Sequence, residues 1–319
     1  MSLPPALLVA GPTASGKSAL ALDLAERLDG TIINADSMQV YAELRVLTAR
    51  PTPEDEARVP HRLYGIRPAA RPGSAAWWCG QALGAMAEAR TGNRLPILTG
   101  GTGLYFAALT QGLSEIPDPG AEARAEARTL LAERGAAALH ARLAAEDPAT
   151  AARLNPNDSQ RIARAWEVWR GTGSGLAAWQ EKLGPPAATP PWRFTAILLD
   201  PPREVLRAAI AARFQAMLQQ GAIEEVRALL AQHLAASLPA MRAHGVPELS
   251  AYLRRELSLE DAGRRTELVT GQYTKRQATW FRHHPLAERM HTIHARYAGL
   301  AQFSERNLAD IISFVRSPG

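Results

Sequence analysis

A chain of 319 residues can bury a large core, and 21% charged with 46% apolar residues is ordinary globular composition. No apolar run of about 18 residues occurs, which excludes a helical membrane span, and one cysteine, Cys79, excludes an internal disulfide framework. With no basic leader segment and a cysteine count suited to a reducing compartment, the expectation is a cytoplasmic protein. The net charge of +5 is mild, but lysine occurs only at Lys17, Lys182 and Lys275 while arginine supplies every other basic residue.

The first element is the apolar run Ala6–Ala10, which reads as a short buried strand. It leads into Gly11-Pro12-Thr13-Ala14-Ser15-Gly16-Lys17-Ser18 and then a helix with Leu20, Leu24 and Leu28 on one face and Gly30 as its stop. Strand, G-x-x-x-x-G-K-[ST] and helix together make a phosphate loop, whose inward N–H groups and helix N-terminus cradle linked phosphates. Lys17 supplies a point charge, and the Ser18 hydroxyl is a ligand for Mg²⁺. Residues 31–35 read as a second strand, ending at Asp36. Residues 49–73, rich in Pro and Arg, read as loop, and 75–91 as a helix in which Trp77 and Trp78 pack. Residues 94–99 read as a third strand running into Gly100-Gly101-Thr102-Gly103 and a helix from Leu104.

The pattern then changes. A linker is expected over 113–118, a nearly all-helical stretch over 121–182, a second linker over 188–191, and a returning strand over 193–200. Residues 202–319 read as helical, with clustered basic and aromatic side chains. The expectation is an α/β fold: a P-loop core with a parallel sheet flanked by helices, interrupted by an inserted all-helical domain. Its parts are 1–115 (core, first part), 116–190 (insertion) and 191–319 (core, second part, with C-terminal helices).

In such sheets ligands bind beyond the carboxyl ends of the strands, where the phosphate loop, Asp36 and Thr102 all fall. A carboxylate there either ligates Mg²⁺ or accepts a proton, unless it only shapes a turn. Asp200, at the end of an apolar run, has the placement of a Walker B metal ligand, but with Pro201-Pro202 and a helix after it the expectation is a helix cap. Arg161 and Arg164 share a helix face, toward phosphates or toward solvent. Lys275, Arg276 and Arg282 interleave with Tyr273, Trp280 and Phe281, a pattern suited to a splayed RNA loop or to an amphipathic core helix.

Three segments carry a resemblance, in order: residues 11–18, Asp36-Ser37-Met38-Gln39-Val40-Tyr41, and Gly100-Gly101-Thr102-Gly103-Leu104-Tyr105-Phe106. With Asn155–Val168 and Gln272–Arg282, they resemble the signatures of the tRNA dimethylallyltransferases over about residues 7–285. The resemblance implies transfer of a dimethylallyl group from dimethylallyl diphosphate to N6 of the adenosine 3′ to a tRNA anticodon. It implies a diphosphate held by Gly11, Thr13, Ala14, Ser15, Gly16, Lys17, Ser18 and Arg213, with Mg²⁺ on Ser18. It makes Asp36 the base at N6, with Thr102 and Lys17 as further catalytic groups. The tRNA anticodon loop is expected to meet Asp36, Ser37, Met38, Gln39, Thr102, Arg124, Gln160, Arg161, Arg164, Lys275, Arg276, Gln277 and Arg282, its adenosine leaving the stack to enter a channel between core and insertion.

Departures from the resemblance are Ala209 where an arginine is expected, Gly271 where an arginine is usual, and Val246 where a tyrosine is usual. His283, His284, His291 and His294 lack the Cys or carboxylate partners of a zinc site. Gly171–Gly175 follows a helix, so it reads as a turn. No coiled-coil seam compels an oligomer, and a monomer is expected. The alternatives are an adenylate dimethylallyltransferase acting on free nucleotides, a small-molecule P-loop kinase, and a nucleic-acid-binding protein with a degenerate loop.

Overall fold

The structure is a computed structural model that describes residues 3–114, 116–183, 191–299 and 305–317. The chain divides into two compact units, one of Met1–Thr110 with Pro190–Gly319 and one of Gln111–Thr189.

The first unit opens with β1 (Pro5–Ala10), α1 (Lys17–Leu28) and β2 (Gly30–Asn34). Then come α2 (Pro53–Arg58), β3 (His61–Arg62), α3 (Ala75–Thr91), β4 (Leu95–Gly100) and α4 (Gly103–Gln111). The second unit holds α5 (Gly120–Glu146), α6 (Pro148–Ala151), α7 (Ser159–Thr172) and α8 (Leu176–Leu183). The chain returns with β5 (Arg193–Leu199), α9 (Arg203–Gln219), α10 (Ala222–Leu230) and a 3₁₀ turn at Pro239–Arg242. It closes with α11 (Val246–Leu253), α12 (Leu259–His283), β6 (Arg289–Ile293) and α13 (Glu305–Arg316).

The six strands form one sheet in the order β3-β2-β4-β1-β5-β6, every pairing parallel. Strand alternation splits its core in two. Leu8 and Ala10 of β1 face Trp78, Met86, Phe106, Phe214 and Phe281, whereas Leu7 and Val9 face Leu20 and Leu24 of α1 and Ile311 of α13. Both faces being covered explains why the central strands read as continuous apolar runs. In the inserted unit, Asp158 caps α7 by accepting the Arg161 N–H (3.1 Å), and Ile162, Ala165 and Trp166 pack on Leu139 and Leu143. Helix α5 breaks at Gly135, whose φ of 77° is left-handed.

Three sequence expectations need correction. The segment 49–73 is not all loop, because Thr52 and Asp55 form a capping box that starts α2, and β3 follows. Residues 202–319 are not all helix, because β6 adds an edge strand. Asp200 does not cap α9, whose N-cap is Pro202. Its N–H instead bonds Ile293 O (2.9 Å), and its carboxylate lies 4.0 Å from Arg282 and 3.9 Å from His294. The linker expected at 188–191 lies, except for Pro191, outside the described residues. Gly173 ends α7 in the left-handed conformation, so the glycine-rich 171–175 is the expected turn.

Candidate active site

Parallel pairing of β2, β4 and β1 places their carboxyl ends side by side, and three loops leave from that edge. The first is the phosphate loop. Ala14 (φ 66°) and Gly16 (φ 92°) both take left-handed backbone, the alternation that turns successive N–H groups inward. Gly16 has a second constraint: a Cβ there would lie 1.9 Å from the carbonyl oxygen of Tyr297. Lys17, half-buried at the start of α1, donates to Pro12 O (3.4 Å). Burial lowers its pKa to about 8; the Asp36 charge opposes that shift and the Arg213 charge adds to it.

The second loop carries Asp36. Its N–H donates to Asn34 Oδ1 (2.8 Å), and its Oδ1 accepts the Met38 N–H (2.9 Å), so one carboxylate oxygen closes an Asx turn. The other oxygen has no hydrogen-bond partner among the described residues. Asn34 is itself buried and pinned by bonds to Asp36 O and Leu63 O (3.0 and 3.1 Å). The carboxylate is therefore oriented, with one oxygen left for a ligand.

The third loop follows β4. Gly100 must be glycine because a Cβ would meet Ala35 O at 2.0 Å. Thr102 Oγ1 accepts the Ser37 N–H (2.9 Å) and donates to Ser37 Oγ (3.3 Å), tying the second and third loops together. Tyr273 of α12 reaches Thr102 and Gln277, and its hydroxyl is pushed up to about 12, by burial first and the Asp36 charge second.

Gln277, expected among the tRNA contacts, is buried between two loops. It is 5% exposed, its Oε1 accepts from Thr13 N–H (2.8 Å) and Thr13 Oγ1 (3.2 Å), and its Nε2 donates to Gly101 O (2.9 Å). A donor on one side and an acceptor on the other fix the amide's orientation, and both atoms are consumed in clamping the phosphate loop to the glycine loop. Gln39 likewise turns its amide inward, donating to Thr48 O and Ala49 O (2.9 and 3.0 Å). Arg213 Nη2 donates to the same Thr48 O (3.3 Å), and burial lowers its pKa against the opposing pull of Asp36. That loop is in turn held by Glu225, which accepts the N–H groups of Arg45, Val46 and Leu47 (2.7, 2.7 and 2.9 Å). No local pattern in the sequence marks Glu225 for this task.

The remaining expected contacts are accessible. On α12, Lys275, Arg276 and Arg282 are exposed, Arg276 lying over the Tyr273 ring at 5.5 Å, whereas Phe281 is core. Trp280 covers Gly103 and stacks on His284 at 4.4 Å. In the inserted unit Gln160 is exposed, Arg161 and Arg164 pair with Asp158 (3.4 Å) and Glu167 (3.2 Å), and Arg124 pairs with Asp118 (2.6 Å). The exposed Arg161–Asp158 and Arg124–Asp118 pairs contribute little and open readily to a polyanion, whereas Glu167 is largely buried. Of the departures, Ala209 packs beside Ala14, Val246 is buried, and a Cβ on Gly271 would meet nothing within 4 Å.

The family model described as IPP transferase matches residues 39–284, and one described as isopentenyl transferase matches 5–70. A tRNA dimethylallyltransferase of Granulibacter bethesdensis is 64% identical over 98% of both chains, and one of Gluconacetobacter diazotrophicus is 60% identical over 98% of this chain and 94% of its own. Among solved structures, the tRNA isopentenylpyrophosphate transferase of Bacillus halodurans superposes with a TM-score of 0.67 at 30% identity, covering 98% of this chain and 95% of its own. A eukaryotic dimethylallyltransferase acting on tRNA reaches 0.80 at 23% identity over 97% of this chain and 78% of its own, a likeness of fold. A nucleotide-type phosphate loop joined to an oriented aspartate, in a chain matched along its length by these enzymes, belongs to the tRNA dimethylallyltransferase (IPP transferase) family.

Proposed function

We propose that the chain transfers a dimethylallyl group from dimethylallyl diphosphate to N6 of the adenosine 3′ to the anticodon in tRNA, with Asp36 as the base. The observation that carries this reading is the setting of Asp36: one oxygen is fixed in a turn, the other is open, and its charge is felt by both Lys17 and Arg213. A carboxylate placed among phosphate-binding cations suits a reaction in which an amine attacks as a diphosphate departs.

The exocyclic amine is a weak nucleophile because its lone pair is delocalised into the ring. Hydrogen-bonded to the open oxygen of Asp36, it is oriented and can pass its proton there as the N6–C bond forms. The allylic C–O bond breaks at the same time, and the electron pair leaves with the diphosphate. Loop N–H groups, Lys17 and Arg213 stabilise the charge that gathers on those oxygens. Thr102, tied to Ser37, positions the loop that carries Asp36.

The Ser18 hydroxyl is exposed at the first turn of α1, a placement that fits a Mg²⁺ shared with phosphate oxygens and water. When bound, the ion would neutralise diphosphate charge. The exposed Lys275, Arg276 and Arg282 of α12, with Gln160, Arg161, Arg164 and Arg124 of the insertion, are proposed to track the tRNA backbone, and the protein is proposed to act as a cytoplasmic monomer.

The test is incubation with labelled dimethylallyl diphosphate, Mg²⁺ and either unmodified tRNA or AMP. Label entering tRNA alone is expected. Label entering AMP would transfer the assignment to free nucleotides, and no label in either would remove it.

A further inference from the structure

The chain after β6 returns to the phosphate loop. The Tyr297 N–H donates to Ser15 O (2.9 Å), its hydroxyl reaches Asp23 of α1 (2.5 Å), and its carbonyl occupies the space that only a glycine at position 16 leaves open. These contacts fix residues 294–297 as a strap across the outside of the loop. The residue before Tyr297 is Arg296, which is exposed and donates Nε–H to Ala14 O (3.1 Å). That bond uses one of five guanidinium donors, and among the described residues the other four have no protein acceptor. Nor does Arg296 form an ion pair there. Helix α9 packs Leu206, Ala209 and Ile210 beside Ala14, and one turn further on carries Arg213.

We infer that Arg296 is a diphosphate contact, a cation delivered to the phosphate loop by the strap after β6 and not by any of the three loops at the sheet edge. This rests on the reading that the loop holds a diphosphate. Arg296 lies close enough to Arg213 for its charge to lower the pKa of that group, so the two guanidiniums address one region. Arg213 feels the charges of both Lys17 and Arg296, and such a gathering of cations is unfavourable until an anion arrives. The planar fork of a guanidinium anchored through Nε keeps its paired Nη donors for two phosphate oxygens.

The experiment is calorimetric titration of the full chain with inorganic diphosphate and Mg²⁺. A charge-assisted contact predicts that Arg296→Ala weakens binding roughly 10-fold, and Arg296→Glu by about another order of magnitude. Arg296→Lys should recover part of the loss, since it keeps the charge and loses the fork. The melting temperature and tRNA affinity should stay at wild-type values, because Tyr297 still anchors the strap. Wild-type diphosphate affinity in Arg296→Ala would overturn the inference and leave Arg296 a pin for the loop. A joint fall in melting temperature and tRNA affinity would overturn it too, making the residue structural. If the wild-type chain itself binds no diphosphate, the failure is that of the reading beneath.

Discussion

Gln277→Ala separates two accounts of α12, because the family resemblance implies that this residue meets RNA and the structure puts it between two loops. The substitution removes three hydrogen bonds, leaving the Thr13 N–H and the Gly101 carbonyl without their partner. At about 1 kcal/mol per bond, with Thr13 partly hydrated, the loss is roughly 3 kcal/mol, and at about 2 °C per kcal/mol in a chain of this size the melting temperature falls about 6 °C. Part of that free energy holds the phosphate loop in register, so the competent population drops and diphosphate binding weakens roughly 10-fold. Gln277→Glu should be nearly as harmful: it keeps an acceptor for Thr13 but turns a second oxygen toward Gly101 O. Calorimetry with diphosphate and filter binding with tRNA read the two arms separately. A variant with normal melting and normal diphosphate affinity but weakened tRNA binding would refute the clamp and restore the RNA contact.

Asp36→Asn keeps the Oδ1 acceptor for Met38 N–H, so the turn survives; turnover should fall by about 10²–10⁴ while tRNA affinity holds within roughly 2-fold. An equal loss of both would remove Asp36 as the base. Lys17 has a pKa lowered to about 8, so the folded chain releases its proton before the unfolded one does. Between about pH 8 and pH 10.5 the unfolded state binds more protons, and this group's contribution to stability therefore rises with pH. Diphosphate binding has the opposite dependence, weakening above about pH 8 by up to roughly 10-fold per unit, and Lys17→Arg should remove the part of the slope not due to the ligand. Titrations that show equal slopes for the two proteins would place Lys17 away from the anion. Glu225→Ala strands three backbone N–H groups of residues 45–47 at a cost of about 2–3 kcal/mol, and should lower both the melting temperature and diphosphate affinity through Arg213. Unchanged diphosphate affinity in a destabilised variant would separate that loop from the site.

The central strands were legible because their environment is simple. Buried on both faces, β1, β2, β4 and β5 keep uniform apolar runs, and a phosphate loop can be read from spacing alone because its backbone demands glycine at fixed places. Edge strand β6 was not legible: Arg-Met-His-Thr-Ile puts only Ile293 in the core, and it is held by pairing with β5 and by Arg289 and His291 against Phe314 of α13. The role of Gln277 was hidden for a different reason. The buried face of α12 is polar, with Thr266, Thr270, Thr274 and Gln277 at near-helical spacing, and a search for apolar stripes passes over it. That spacing is the signal that could have found it. Arg296 had none, since its place depends on where a strap lands after an edge strand.

The electrostatic layout bears on why a loop of this type breaks a carbon–oxygen bond. Among the described residues Lys17 and Arg213 have no carboxylate in an ion pair; each donates to a carbonyl, and Asp36 acts on both from a distance. A tight pair would spend their field in the ground state. Held apart from Asp36, they keep that field for an incoming anion, and Arg296 adds to it from the strap. The bound ester and the departing diphosphate differ by one unit of negative charge, gathered on the oxygens as the allylic bond opens. Cations held in place beforehand, Lys17 next to a loop clamped by Gln277 and Arg213 on α9, gain most from that added charge, because nothing need reorganise as it appears. In the proposed reaction Asp36, holding one oxygen open, takes the proton that would otherwise leave a cation on the adenine. On this proposal the same three loops divide the work: one stabilises what leaves, one deprotonates what attacks, and the third, through Thr102 and Gly101, keeps the distance between them.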